Sequence, residues 1–83
     1  MWFVYILFCE DGTLYTGVTN NLEKRFADHK AGKGAKYTRS HKPLKIIYSE
    51  DLTDRSAALK REREIKSYTK IQKIKLLNLD LTA

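Results

Sequence analysis

Two phenols, an arginine, an imidazole and a carboxylate recur along this chain at spacings that a fold could bring together. Tyr5 and Tyr15 stand in two stretches rich in aromatic and branched residues, Arg25 and His29 follow four residues apart, and Glu62 lies in a later amphipathic segment. Phenol and imidazole can pass protons, and a guanidinium can fork onto anionic oxygens. A carboxylate turned towards a core is costly unless an arginine, a lysine, hydrogen-bond donors or a metal compensates it. Each residue also has an ordinary reading. A strand tyrosine is most often an amphipathic packing residue, and His29 could be a satisfied histidine at a core edge. Composition alone favours for Glu62 a plain ion pair with Arg25 or Lys66. Convergence on one place is what would separate chemistry from packing.

The elements that must position these groups are legible from local signals. Trp2 to Cys9 reads as a strand, Glu10-Asp11-Gly12 as a hairpin connection, and Thr13 to Val18 as a second strand. A two-residue loop would leave Tyr5 and Tyr15 on opposite faces. A three-residue loop with Gly12 left-handed pairs Leu7 with Tyr15 and Tyr5 with Gly17, so that both tyrosines share a face. Gly17 would then leave the phenol room and let a phosphate approach the backbone. Asn20 or Asn21 caps a helix that carries Leu22, Phe26 and His29 on one side and ends near Ala31-Gly32.

Gly32 to Pro43 has no apolar period and reads as a basic loop. Lys45 to Glu50 is a third strand, and Thr53 caps a helix to about Lys66. Thr69 and Gln72 form a capping box opening a last helix through Leu77, with Ile71, Ile74 and Leu77 as its packing side. At about 100° per residue, Arg25 and His29 lie along the margin of one buried face. Ala58, Leu59, Glu62, Ile65 and Lys66 cluster on another, and Glu64, about 200° from Glu62, points to solvent. The order ββαβαα implies an α+β fold, a small three-stranded antiparallel sheet flanked by helices.

Eighty-three residues allow one small domain spanning 1–83. The lone Cys9 excludes an internal disulfide framework and a thiolate metal site, which fits a reducing, cytoplasmic setting. The apolar opening MWFVYILFC is too short to span a bilayer, so no membrane association is expected. Sixteen lysines and arginines against ten acids give a net charge of +6, which favours polyanionic partners. The charge is concentrated. Residues 24 to 45 carry eight basic side chains and one acid, and residues 54 to 75 carry eight and three.

Val4-Tyr5-Ile6, then Tyr15-Thr16-Gly17, then Arg25 and His29, then a glutamate in a later helix, resemble the GIY-YIG nuclease family. The run from LYTGVTNNLEKRFADHKAGKGAKYTRSHKP to AALKREREIK is similar to the small stand-alone GIY-YIG domain proteins of bacteria, an uncharacterised subgroup. The resemblance covers about residues 2 to 77. Here the glycine of the first motif is Val4 and the isoleucine of the second is Thr16. The resemblance implies hydrolysis of DNA phosphodiester bonds with one divalent metal, Mg²⁺ or Mn²⁺. It assigns catalytic positions to Tyr5, Tyr15, Arg25, His29 and Glu62, with Glu62 the metal ligand, and makes Tyr37 a candidate for a further side chain in the segment after the first helix.

The chemistry fits those assignments. Mg²⁺ commonly takes one or two carboxylates and completes its shell with water and phosphate oxygens. Arg25 would meet the charge building on the phosphoryl oxygens. One tyrosine would take a proton from water while the other orients water or phosphate, and either could hold either role. His29 would relay a proton or bind a phosphate oxygen. Lys33, Lys36, Arg39 and Lys42, with Tyr37 interleaved, would hold the polynucleotide backbone without reading sequence, so binding should weaken steeply with salt. That loop suits RNA as well as DNA. The expected activity is a metal-dependent DNA endonuclease, structure-selective or weakly sequence-specific, with a protein partner as a source of specificity. The alternative is a non-catalytic nucleic-acid-binding module of the same fold acting with such a partner.

Overall fold

The computed structural model describes residues 1–81. Its centre is β1 (Trp2–Cys9), flanked by β2 (Leu14–Thr19) and β3 (Pro43–Leu52) in a three-stranded antiparallel sheet of order β2-β1-β3. A central strand covered on both faces needs apolar residues without alternation. Val4, Tyr5, Ile6 and Leu7 meet that need, and all four are buried. The hairpin takes the three-residue loop. Gly12 has φ +83°, and the Cys9 amide donates to the Thr13 carbonyl at 3.0 Å. The register pairs Tyr5 with Gly17 and Leu7 with Tyr15.

One sheet face carries Val4 and Ile6 against Ala58 and Ile65 of α3 (Arg55–Lys66) and against Leu79. Ile74 and Leu77, at and just beyond the end of α4 (Lys70–Leu76), pack on the same cluster. The capping box at Thr69 and Gln72 is formed in both directions, the Thr69 amide donating to Gln72 Oε1 at 2.8 Å. Ile71 departs from the expected packing side and is 67% exposed. It lies in the first turn of the helix, ahead of Ile74 and Leu77, which do reach the core cluster. Asp54, rather than Thr53, caps α3 by accepting from the Ala57 amide at 2.8 Å. An aspartate in that place supplies a carboxylate to the positive helix terminus.

The opposite face carries Tyr5, Leu7 and Cys9, and the Tyr5 side chain meets α1 (Leu22–Lys30), capped by Asn21. The segment Gly32 to Pro43 is not all loop: Lys36–Ser40 form a one-turn helix, α2. No apolar period signals it because its anchoring is tertiary. Thr38 is buried under α1, and His41, its C-cap, bonds Asp11 of the hairpin loop. The third strand extends beyond Lys45–Glu50 at both ends because β1 offers it partners from Trp2 to Cys9. Among the described residues no helix is long and apolar enough to cross a membrane.

Candidate active site

Tyr5 is the hub. It lies at the centre of the sheet and is 2% exposed, and its hydroxyl is 2.8 Å from His29 Nε2 on α1. The other ring nitrogen, Nδ1, is 2.7 Å from Thr38 Oγ1, which in turn donates to the Ala35 carbonyl at 3.0 Å. The hydroxyl hydrogen of Thr38 is thereby used, so Oγ1 accepts from Nδ1–H, and Nε2 is left to accept from the Tyr5 hydroxyl. The result is a buried directional chain, Tyr5 to His29 to Thr38 to Ala35. Burial, and then the positive charge of Arg25, lower the pKa of His29 and keep its ring neutral.

Space for this chain comes from two glycines. A Cβ on Gly17 would stand 2.6 Å from the Tyr5 hydroxyl and 3.1 Å from Cε2 of Tyr15. A Cβ on Gly34 would collide with the His29 ring. Tyr15 leans on both partners, its ring centroid 6.4 Å from that of Tyr5 and 5.2 Å from that of His29.

The charges around Tyr5 reveal what else converges there. Burial first, and then Tyr15, push its pKa up to about 12; hydrogen bonding and charge from Arg25 pull it down, and the Glu62 carboxylate pushes it up. Arg25 of α1 and Glu62 of α3 thus both act on the charge of the same phenol. Glu62 has its side chain 18% exposed and Glu64 55%, as helix phase requires. The ion partner of Glu62 is Lys66, at 3.2 Å. Lys66 is itself half exposed, which makes it a weak, displaceable counter-ion.

The remaining expected residues divide. Arg39 and Lys42 line a cavity of about 270 Å³ together with Lys30, His29 and Thr38. Lys33 and Lys36 are exposed and do not line it. Tyr37 stacks on Tyr15 at 5.6 Å and on His41 at 4.2 Å. Sequence reasoning missed Thr38, Gly34, His41 and Lys30, because each acts across the fold and the helix carrying Thr38 has no periodic signal. It also missed Lys73, a half-buried amine whose Nζ donates to Thr16 Oγ1 at 3.2 Å. Burial, then Lys66, lower its pKa.

Among the described residues no three His, Cys, Asp or Glu side chains group to hold a metal. Glu62, a lone carboxylate with its side chain 18% exposed, does not supply the several protein ligands that a caged Zn²⁺ or Ca²⁺ site takes. It fits Mg²⁺, a hard ion that keeps several waters and shares substrate phosphates.

This arrangement has counterparts. A family model described as the GIY-YIG catalytic domain matches residues 1–75. The chain belongs to the GIY-YIG family. A UPF0213 protein of Staphylococcus haemolyticus is 48% identical over 75 residues, covering 90% of this chain and 92% of that protein. One from Lactiplantibacillus plantarum is 51% identical over 79 residues, covering 93% and 78%. Two solution structures share the GIY-YIG fold seen here. The UPF0213 protein BH0048 of Bacillus halodurans has a TM-score of 0.59 at 37% identity, covering 94% of this chain and 84% of that one. The protein EF2693 of E. faecalis has a TM-score of 0.63 at 38% identity, covering 92% and 81%. With Tyr5 as the tyrosine of the first motif, the glycine position falls on Phe3, not Val4; Val4 and Thr16 stand at the two isoleucine positions, and both are buried on the sheet face opposite Tyr5 and Tyr15. They alter the core, not the surroundings of the phenols.

Proposed function

We propose that this GIY-YIG protein is a divalent-metal-dependent endonuclease that hydrolyses DNA phosphodiester bonds, working in the cytoplasm. The observation that carries the reading is one buried phenol hydrogen-bonded to an imidazole acceptor, with a guanidinium and a carboxylate from two helices in its electrostatic field. A purely structural buried tyrosine needs a hydrogen-bond partner but neither of the two charges.

The geometry favours Tyr5 over Tyr15 as the proton acceptor. Its hydroxyl proton already points at His29 Nε2, so the oxygen can take a proton from water as its own passes to the imidazole. A free phenolate, costly at a pKa of about 12, is thereby avoided. Nδ1–H on Thr38 fixes the ring and tautomer for that transfer. Arg25 would meet the charge building on the phosphoryl oxygens, and Tyr15 forms the wall beside both rings. Glu62 would hold Mg²⁺, which supplies Lewis-acid stabilisation of the phosphoryl and departing oxygens when bound. Lys66, the present ion partner of Glu62, would be freed for a phosphate oxygen.

The test is cleavage of single-stranded, duplex and branched DNA by purified protein with Mg²⁺ or Mn²⁺. Glu62→Ala is expected to abolish cleavage and to leave salt-sensitive DNA binding in place. Equal cleavage by both proteins defeats the metal assignment. Binding without cleavage across the panel defeats the enzymatic reading in favour of a binding module.

A further inference from the structure

Hydrolysis at Tyr5 makes no use of two rings that stand against its site. Tyr37 on α2 stacks on Tyr15 with planes 27° apart, and His41, four residues on, stacks on Tyr37 with planes 19° apart. The three near-parallel rings form one run that begins beside the reacting centre and ends in solvent. Tyr37 is 37% exposed and the His41 side chain 33%.

The run is braced. Thr38 ties α2 to His29, and His41 Nδ1 bonds Asp11, whose carboxylate also accepts from the Thr13 amide and hydroxyl. Bracing exposed aromatic surface this firmly, against the usual tendency to bury it, points to a ligand with a flat apolar face. Beyond Thr38, α2 borders the cavity of about 270 Å³ lined by Lys30, Arg39 and Lys42, a place for an anion. A stacking surface beside a cationic cavity matches one nucleotide, its base on the rings and a phosphate on the cations.

We propose that α2 selects unpaired DNA: a nucleotide adjoining the scissile phosphate stacks its base on the outer face of His41, the solvent end of the run, and a neighbouring phosphate sits among Lys30, Arg39 and Lys42. The proposal rests on the hydrolytic reading above and names its substrate class as single-stranded DNA, or duplex DNA at an unpaired position. The reason is access. A paired base has both faces covered by its neighbours, whereas an unpaired one offers a face to the rings. Every base has such a face, so discrimination among sequences by this contact is slight.

The experiment is fluorescence anisotropy in EDTA with a labelled oligothymidylate, a hairpin duplex and an oligouridylate, using wild type, His41→Leu and His41→Trp. Wild type should bind oligothymidylate more tightly than duplex. His41→Leu should weaken that binding about tenfold, as loss of one base stack does, and leave duplex binding within about twofold. His41→Trp should restore it, with its indole fluorescence quenched by oligothymidylate and not by duplex. Equal binding of single strand and duplex, or equal loss on both in His41→Leu, overturns the proposal. Tighter binding of oligouridylate overturns its assignment to DNA. The two readings fail separately. Single-strand binding without Mg²⁺-dependent cleavage sinks only the hydrolytic one, and equal cleavage of duplex and single strand, unchanged in His41→Leu, sinks only this one.

Discussion

Gly17→Ala tests the packing around Tyr5 most directly. The new Cβ would stand 2.6 Å from the Tyr5 hydroxyl oxygen and 2.8 Å from Cζ, where ordinary contact begins at 3.4 Å, so the ring must retreat by about 0.8 Å. Tyr5 is buried, with β2 on one side and His29 2.8 Å from its hydroxyl, so that retreat disturbs the hydrogen bond. Overpacking of this kind costs about 1–3 kcal/mol, which in a domain of this size lowers the melting temperature by roughly 5–20 °C. A shift of about 1 Å in a reacting group costs on the order of 100-fold in rate. Gly12→Ala is the matched control. Gly12 has φ +83° and its nearest neighbour to a new Cβ is Lys70 Nζ at 3.8 Å, so alanine there meets only the left-handed backbone cost of about 1–2 kcal/mol. Single-turnover cleavage and thermal unfolding are measured on both proteins. The expected result is comparable destabilisation with a large rate loss confined to Gly17→Ala. Wild-type cleavage by Gly17→Ala, or an equal loss in Gly12→Ala, would refute the placement of Tyr5 in the reaction.

Three further outcomes follow from the charges. Lys66→Met removes the ammonium that lies 3.2 Å from Glu62, so Mn²⁺ binding, followed by paramagnetic resonance without DNA, should tighten by about two- to fivefold, the scale of an exposed ion pair; unchanged affinity would show that Lys66 does not compete. The pKa of His29 is depressed in the folded protein, so its contribution to stability is complete above the unfolded value near 6.5 and is lost as pH falls towards the native value. The urea midpoint of the wild type should therefore drop between pH 7.5 and 5 more than that of His29→Gln, and parallel profiles would contradict it. For Tyr5, raised from 10.0 to about 12, the sign reverses: stability is complete below pH 10 and lost between 10 and 12, by about 2–3 kcal/mol. Tyr5→Phe should lack that alkaline component, and an identical alkaline loss in both proteins would exclude it.

What could be read along the chain was what depends on near neighbours. Covalent spacing and helical phase set Glu62 inward and Glu64 outward, placed Arg25 and His29 on one margin, and made Thr69 and Gln72 a cap. The hairpin narrowed to two registers, because a glycine able to take positive φ is a local property. Choosing between them, and so placing Tyr15 beside Tyr5, required the sheet to close. Partner choice was likewise tertiary. Glu62 could pair with Arg25 or Lys66, and the fold decided for Lys66. Nothing in the sequence set Tyr5 apart from Tyr15; the fold did, by laying His29 of α1 against the hydroxyl of Tyr5. Helix α2 had no local signal because its burial comes from Thr38 beneath His29 and its tether from Asp11, thirty residues away from His41. The residue types and phases were determined by the sequence alone; which groups met was decided by long-range packing, since only the folded sheet sets those distances.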